Sequence, residues 1–142
     1  MRILAVDPGT VRVGLALSDE GESLATPLST LRPGARLGAR IVDAARDAGA
    51  ELIVVGLPRR LDGTEGPEAV RARELAAEIT AGGIGAELWD ERFTSVMAAA
   101  VLRESRPGRG RRAAAARRRE TDRVAAAVLL QSFLDSRRRG TT

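Results

Sequence analysis

Arg2-Ile3-Leu4-Ala5-Val6-Asp7 is a continuous apolar run that ends on a carboxylate. A run without alternation reads as a strand buried on both faces, the kind found at the centre of a sheet. Pro8-Gly9-Thr10 then turns the chain. Val11, Val13, Leu15 and Leu17 alternate with Arg12, Gly14, Ala16 and Ser18, a period of two that predicts a second strand. Asp19-Glu20-Gly21-Glu22 is another turn. Leu24 to Leu31 reads as a third strand, and Pro27 within it suits an edge or a bulge. The chain therefore opens with a three-stranded antiparallel meander.

The pattern then changes to helices alternating with strands. Residues 35 to 48 predict an amphipathic helix with Leu37, Ile41, Ala44, Ala45 and Ala48 on one face, stopped by Gly49. Glu51-Leu52-Ile53-Val54-Val55-Gly56 is a second buried strand. Leu57 to Gly66 is a polar loop, and Pro67 suits the first position of the helix that carries Val70, Glu74, Ala77 and Ile79. Gly82-Gly83 ends that helix, and Ala86 to Asp90 forms a short strand. Thr94 and Ser95 are candidate caps for a helix running to about Arg103. Residues 105 to 119, rich in Pro, Gly and Arg, read as a mobile segment. Thr121 to Ser136 is a closing apolar helix, and residues 137–142 are a basic tail. The order β-β-β-α-β-α-β-α-α predicts one α/β domain over residues 1–142, a mixed five-stranded sheet flanked by helices.

Composition narrows the chemistry. The 142 residues contain no Cys and no His, and every one of the 23 basic residues is Arg. Disulfides, thiol nucleophiles, Cys/His zinc sites, a Ser-His-Asp triad and a Walker A lysine are all excluded. Acids and bases must then come from carboxylates, hydroxyls, backbone groups or metal-bound water. Charge is uneven: residues 1–102 carry 11 Arg and 15 Asp or Glu, a net of −4, whereas residues 103–142 carry 12 Arg and 4 acids, a net of +8. A basic C-terminal section points to a polyanionic partner. Trp89, Phe93 and Phe133 are the only aromatic residues, too few for a base-stacking platform. No apolar run approaches the ~20 residues of a membrane span, so a cytoplasmic protein is expected.

Sites in open α/β sheets form where strand carboxyl ends open onto a crevice. Asp7 ends the first strand and Asp90-Glu91 the last. Gly56 ends the strand between them, and its missing side chain predicts room for a substrate or an ion. If these strands are parallel neighbours, Asp7 and Glu91 face one site. Asp122 opens the closing helix. Clustered acids raise one another's pKa, and a divalent cation removes that penalty. Mg²⁺ or Mn²⁺ suits such a site, because a few carboxylates hold the ion and leave positions for water and phosphate. Two such ions ~3.5–4 Å apart stabilise both attacking and leaving oxygens in phosphodiester hydrolysis. Each acid also has a structural alternative. Asp7 could serve the Pro-Gly turn, Glu91 could pair with Arg92 or cap a helix, and Asp122 could be a helix N-terminal acid stabilising by ~0.3–1 kcal/mol.

The motifs resemble the bacterial YqgF/RuvX family. Asp7-Pro8-Gly9-Thr10, with Gly14 and Ala16 on the next strand, is similar to its opening. Gly56-Leu57-Pro58, Asp62-Gly63 and Glu65-Gly66 resemble its G-[LIV]-P…D-G-x-E-G loop. Asp90-Glu91-Arg92-Phe93-Thr94 resembles its D-E-R-[LF]-[ST] motif. Asp122-Arg123, Ala125-Ala126, Leu129-Leu130-Gln131 and Leu134-Asp135 resemble its closing helix. The resemblance covers nearly the whole chain in order. It implies an RNase H-like fold and a pre-16S rRNA nuclease of ribosome maturation, or alternatively a Holliday junction resolvase. It also implies that Asp7, Glu91 and Asp122 are metal-binding catalytic carboxylates, with Asp90 a rival to Glu91. Arg stands where many relatives carry Lys around the last Asp, and guanidinium keeps the phosphate-binding role.

Thr10, Arg92, Arg111, Arg112, Arg117, Arg118 and Arg123 are the candidate nucleic-acid contacts, positioning a phosphate backbone without reading sequence. The partner expected is structured RNA or branched DNA, with ribosome-assembly proteins as candidate partners and a monomer or homodimer as the assembly. Two other classes compete. Asp-x-Gly-Thr before a small-residue strand also occurs in actin-like ATP-binding proteins, which clamp nucleotide between two domains. A non-catalytic RNA-binding assembly factor is the other.

Overall fold

A computed structural model describes residues 1–60, 62–91 and 111–139, with side chains from residue 123 onward in the last segment. Five strands form one mixed sheet: β1 (Arg2–Pro8), β2 (Val13–Ser18), β3 (Ala25–Leu31), β4 (Ala50–Leu57) and β5 (Gly85–Asp90). Their order is β3-β2-β1-β4-β5. β1 pairs antiparallel with β2 and parallel with β4, and β4 pairs parallel with β5. The unbroken apolar run thus occupies the centre, where both faces must be covered. β3 lies at an edge, and its register slips opposite Leu15 and Ala16, next to Pro27. A proline at an edge bulge leaves no ladder bond broken.

Helices cover both faces. α1 (Leu37–Asp47) buries Gly38, Ile41, Val42 and Ala45, and α2 (Pro67–Ala81) buries Ala69, Ala72, Leu75 and Ile79. Both pack on Leu4, Val6, Val13, Leu15, Ile53 and Val55. Helix α3 (Arg111–Arg139) covers the other face, with Ala126, Leu129, Leu130, Phe133 and Leu134 against Ile3, Ala5, Ala16 and Val54. Odd residues of β1 therefore face α3 and even residues face α1 and α2, as the alternation of a strand requires. Among the described residues no helix is long and apolar enough to cross a membrane.

Two sequence expectations need correction. The closing helix begins at Arg111, ten residues before Thr121, so residues 111–119 are helical. The breakers Pro107, Gly108 and Gly110 all precede Arg111, and the Ala and Arg that follow are among the strongest helix formers. Pooling both groups into one composition hid that boundary. Residues 105–110 and the helix expected from Thr94 or Ser95 to Arg103 lie outside the described residues. The basic tail also differs, because Arg137–Arg139 form the last turn of α3. Arg137 donates to Glu22 at 2.9 Å and lies 5.6 Å from the centre of the Phe133 ring, and Arg138 donates to Asp135 at 2.5 Å. Gln131 completes this anchorage, accepting from the Ala25 N–H at 2.9 Å and donating to the Ser23 carbonyl at 2.9 Å.

Candidate active site

The parallel register places the carboxyl ends of β1, β4 and β5 side by side, with Val6 beside Val55 and Leu57 beside Asp90. Alternation then sorts their side chains. Ile3 and Ala5 of β1, Val54 of β4 and Trp89 of β5 all pack towards α3. Asp7, Gly56 and Glu91 continue those same rows at the strand ends. Asp90 falls one step out of phase, in the row of Leu88, which packs towards α1 and α2.

Gly56 is where the three rows converge. A Cβ there would overlap the Glu91 carboxyl oxygen and approach Leu129 Cδ1 to 2.5 Å. The space left by the missing side chain is filled by Glu91 and Leu129. It is not a vacancy for substrate or ion, which corrects the sequence expectation. Glycine is required here because a carboxylate crosses directly over the backbone.

Glu91 is hydrogen-bonded to Asp7, and its carboxyl is pushed up to about 9. Burial is the main cause, because a charged carboxylate is poorly solvated there. The hydrogen bond with Asp7 follows, and then the negative charges of Asp7 and Asp90. A raised Glu91 carboxyl favours its protonated form in the absence of a cation. Of the rivals for the second carboxylate position, the structure brings Glu91, and not Asp90, to Asp7.

Asp90 instead lies 3.7 Å from Arg59, on the loop after β4. That loop is built by the residues that the sequence marked as a motif. Arg60 N–H donates to the Thr64 carbonyl at 2.9 Å, and Gly63 N–H donates to the Arg60 carbonyl at 2.8 Å. Asp62 accepts from the Thr64 N–H at 2.9 Å and the Thr64 hydroxyl at 2.7 Å, bonds that hold its carboxyl below the usual range. Glu65 takes a bidentate pair from Arg73 at 2.9 and 2.7 Å and also lies 3.4 Å from Arg59. The acids of this loop therefore brace it.

The remaining candidates stand as follows. Asp122 lies eleven residues inside α3 and not at its start, because the helix begins at Arg111. The helix-terminus reading of that acid is thereby removed. By helical period, position 122 shares a stripe with Ala126, Leu129 and Phe133, which face the sheet. Its side chain, and those of Arg111, Arg112, Arg117 and Arg118, lie outside the described residues, as does Arg92. Arg123 is half-buried on α3, and Thr10 is exposed in the β1–β2 turn. Among the described residues no group of three or more acids stands together as a metal cage. A groove of about 400 Å³ lies elsewhere, on the α1–α2 side, between the Pro8–Thr10 turn, the loop before α1, and α2. Trp89 is half-buried against the α3 face: it meets Phe133 edge-on with ring centres 5.5 Å apart and donates to the Ser132 hydroxyl at 3.3 Å.

Residues 1–136 match the family described as RuvX: Holliday junction resolvase. The chain belongs to the RuvX family. A relative from Nocardioides sp. is 43% identical over 95% of this chain and 88% of its own length, and one from Anaeromyxobacter dehalogenans is 44% identical over 96% and 98%. Both carry the description "Putative pre-16S rRNA nuclease". The fold is that of resolvases. Thermus thermophilus RuvC, solved with a Holliday junction substrate, superposes with a TM-score of 0.54 at 15% identity, covering 97% of this chain and 96% of RuvC. Fowlpox virus resolvase, also solved with junction DNA, gives a TM-score of 0.57 at 10% identity, covering 96% and 98%. The RuvX chain is thus an RNase H-like nuclease that hydrolyses phosphodiesters, and the actin-like reading is not favoured.

Sequence reasoning missed Arg59 and the Glu65–Arg73 brace. The only signal was the alternation of sign between Arg59, Glu65 and Arg73, and spacing alone does not say which charges meet. It also missed Leu129 as a wall of the site, although the helical period of α3 could have shown it.

Proposed function

We propose that this RuvX protein cleaves precursor 16S rRNA at its 5′ end, with Mg²⁺ or Mn²⁺ held by Asp7, Glu91 and Asp122. The observation that carries the proposal is the partly buried Asp7–Glu91 pair, which meets across the end of β4 at Gly56, where Glu91 is pushed up to about 9. Two carboxyls in contact are costly unless a proton or a cation lies between them. Their donor set is all oxygen, which fits a hard divalent ion. When bound, that ion would make a coordinated water more acidic and stabilise the charge on the phosphate.

The residues of the chain do the rest. Glu91 would give up its proton on loading. The Leu129 and Trp89 side of the site limits water around them. Arg92, Arg111, Arg112, Arg117, Arg118 and Arg123, with Thr10, hold phosphates of the incoming strand. RNA is favoured over DNA junctions because the relatives described as rRNA nucleases are 38–44% identical over almost the whole chain. The junction-bound neighbours are only 10–15% identical and share the fold. A cytoplasmic location, beside ribosome-assembly proteins, follows from that substrate.

The test is a cleavage assay on precursor 16S rRNA and on a four-way DNA junction, each with Mn²⁺, with Asp7→Asn as the control. Cleavage of the RNA by the wild type alone is the expected result. Faster cleavage of the junction would overturn the substrate, and full activity in Asp7→Asn would overturn the mechanism.

A further inference from the structure

Arg59 lies two residues beyond Leu57, and Leu57 is the β4 residue paired with Asp90 at the last rung of the ladder. Among the described residues β5 is an edge strand that pairs with β4, and the ladder ends at that rung. Arg59 reaches across the same point. One nitrogen of its guanidinium lies 3.7 Å from Asp90 and another 3.4 Å from Glu65. Glu65 is in turn fixed by the two-bonded fork of Arg73 on α2. The chain Asp90–Arg59–Glu65–Arg73 alternates in sign and ties the end of β5 to a helix across the intervening loop.

Burial makes this tie more than a surface pair. Asp90 has a side chain only 13% exposed, and Arg59 only 31%. The buried Nε of Arg59 has no hydrogen-bond partner among the described residues. A guanidinium placed for its own satisfaction would not leave that N–H bare. Its two terminal nitrogens instead face the carboxylates of Asp90 and Glu65. Asp90 is the residue before Glu91, and its negative charge acts on Glu91. A cation on Asp90 therefore both restrains the strand end and offsets the charge nearest the pair.

We propose that Arg59 is a positioning residue, which clamps Asp90 on the α1–α2 side so that Glu91 stays against Asp7 on the α3 side. The activity arm of this inference rests on the nuclease reading above, whereas its structural arm does not.

Trp89, the single tryptophan of the chain, precedes Asp90 and serves as the independent reporter. Arg59→Ala, Arg59→Lys, Asp90→Asn and the Arg59→Ala/Asp90→Asn double variant are compared with the wild type. Their metal-free Trp89 emission and iodide quenching are measured, followed by kcat and KM with Mn²⁺. Arg59→Ala and Asp90→Asn should alter Trp89 emission in the same direction, and the double variant should match Arg59→Ala. Arg59→Ala should lower kcat about 10–100-fold, the range for residues that orient a metal ligand, with KM within about twofold. Arg59→Lys should restore most of kcat. Unchanged emission in both Arg59→Ala and Asp90→Asn overturns the proposal whatever the activity. A raised KM with kcat intact also overturns it, making Arg59 a substrate contact. If Arg59→Ala does not fold, Asp90→Asn and Arg59→Lys decide: wild-type emission in Asp90→Asn overturns the clamp. A wild type that cleaves nothing, with emission shifts as expected, sinks the nuclease reading and leaves the clamp supported.

Discussion

Asp90 and Glu91 are neighbours in the chain and occupy opposite electrostatic worlds. On the α1–α2 side, Asp90 belongs to an alternating row of charges with Arg59, Glu65 and Arg73. On the α3 side, Glu91 meets Asp7, and the charges that weigh on it are both negative. In the first arrangement the pairing with Arg73 keeps the Glu65 carboxyl below its ordinary range. The second suits a carboxyl that keeps its proton until a cation arrives. One step along a strand separates a brace from a reactive pair, because successive side chains point to opposite faces.

Breaking the two sides should have very different consequences. The largest effect is expected from Glu91→Gln and Asp7→Asn, which should reduce Mn²⁺-dependent cleavage to background while circular dichroism stays that of the wild type. Asp90→Asn should keep measurable turnover, about 10–100-fold down. Equal losses at positions 90 and 91 would erase the distinction between the two sides.

Gly56→Ala attacks the reactive side through packing alone. Its Cβ would enter the space of the Glu91 carboxyl and Leu129. Overpacking of this kind costs about 1–3 kcal/mol. Urea unfolding should report that loss, and kcat should fall with it. Wild-type stability would mean that Glu91 swings away freely.

The pH dependence of the metal-free protein gives a third, smaller effect. Glu91 has a folded pKa of about 9 against an ordinary value of 4.5, so the folded state binds the extra proton between those limits. Stability from this group is full below about pH 4.5 and is lost as pH rises towards 9. Glu91→Gln should flatten that decline in urea titrations. Mn²⁺ binding to the wild type should release protons, seen as a buffer-dependent heat in calorimetry. A stability that rises between pH 5 and 9 and depends on Glu91 would contradict the raised Glu91 carboxyl.

The smallest effect should come from Arg73→Gln. Arg73 is the outermost and most exposed member of the row, 48% accessible, and solvent screens its pairing with Glu65. A slight fall in melting temperature with kcat unchanged is expected. A loss as large as that of Arg59→Ala would mean that the whole row acts as one unit.

Much of this was legible in the chain. The run from Arg2 to Asp7 announced a central strand, because only a doubly covered strand tolerates unbroken apolar residues. Pro27 announces the edge bulge, and the apolar runs put Asp7 and Glu91 at strand ends. Absence of His and Cys restricted the acids and bases to carboxylates, hydroxyls, backbone groups or metal-bound water. The start of α3 was not legible, because a composition of Arg, Ala, Gly and Pro mixes helix formers with breakers and only their order separates them. Gly56 was read as open space, because a sequence shows a missing side chain but not the neighbour that fills the gap.

The sequence by itself determined the strands, the helices of both faces and the inventory of acids, since periodicity and composition are local properties. Only the tertiary structure decided which acids meet. The choice between Asp90 and Glu91 depends on the phase of β5 against β1 across a parallel ladder with β4 between them. The Arg59 clamp depends on a loop folding back over that ladder. Both are set by packing between distant segments, where a shift of one residue would exchange the brace for the reactive pair.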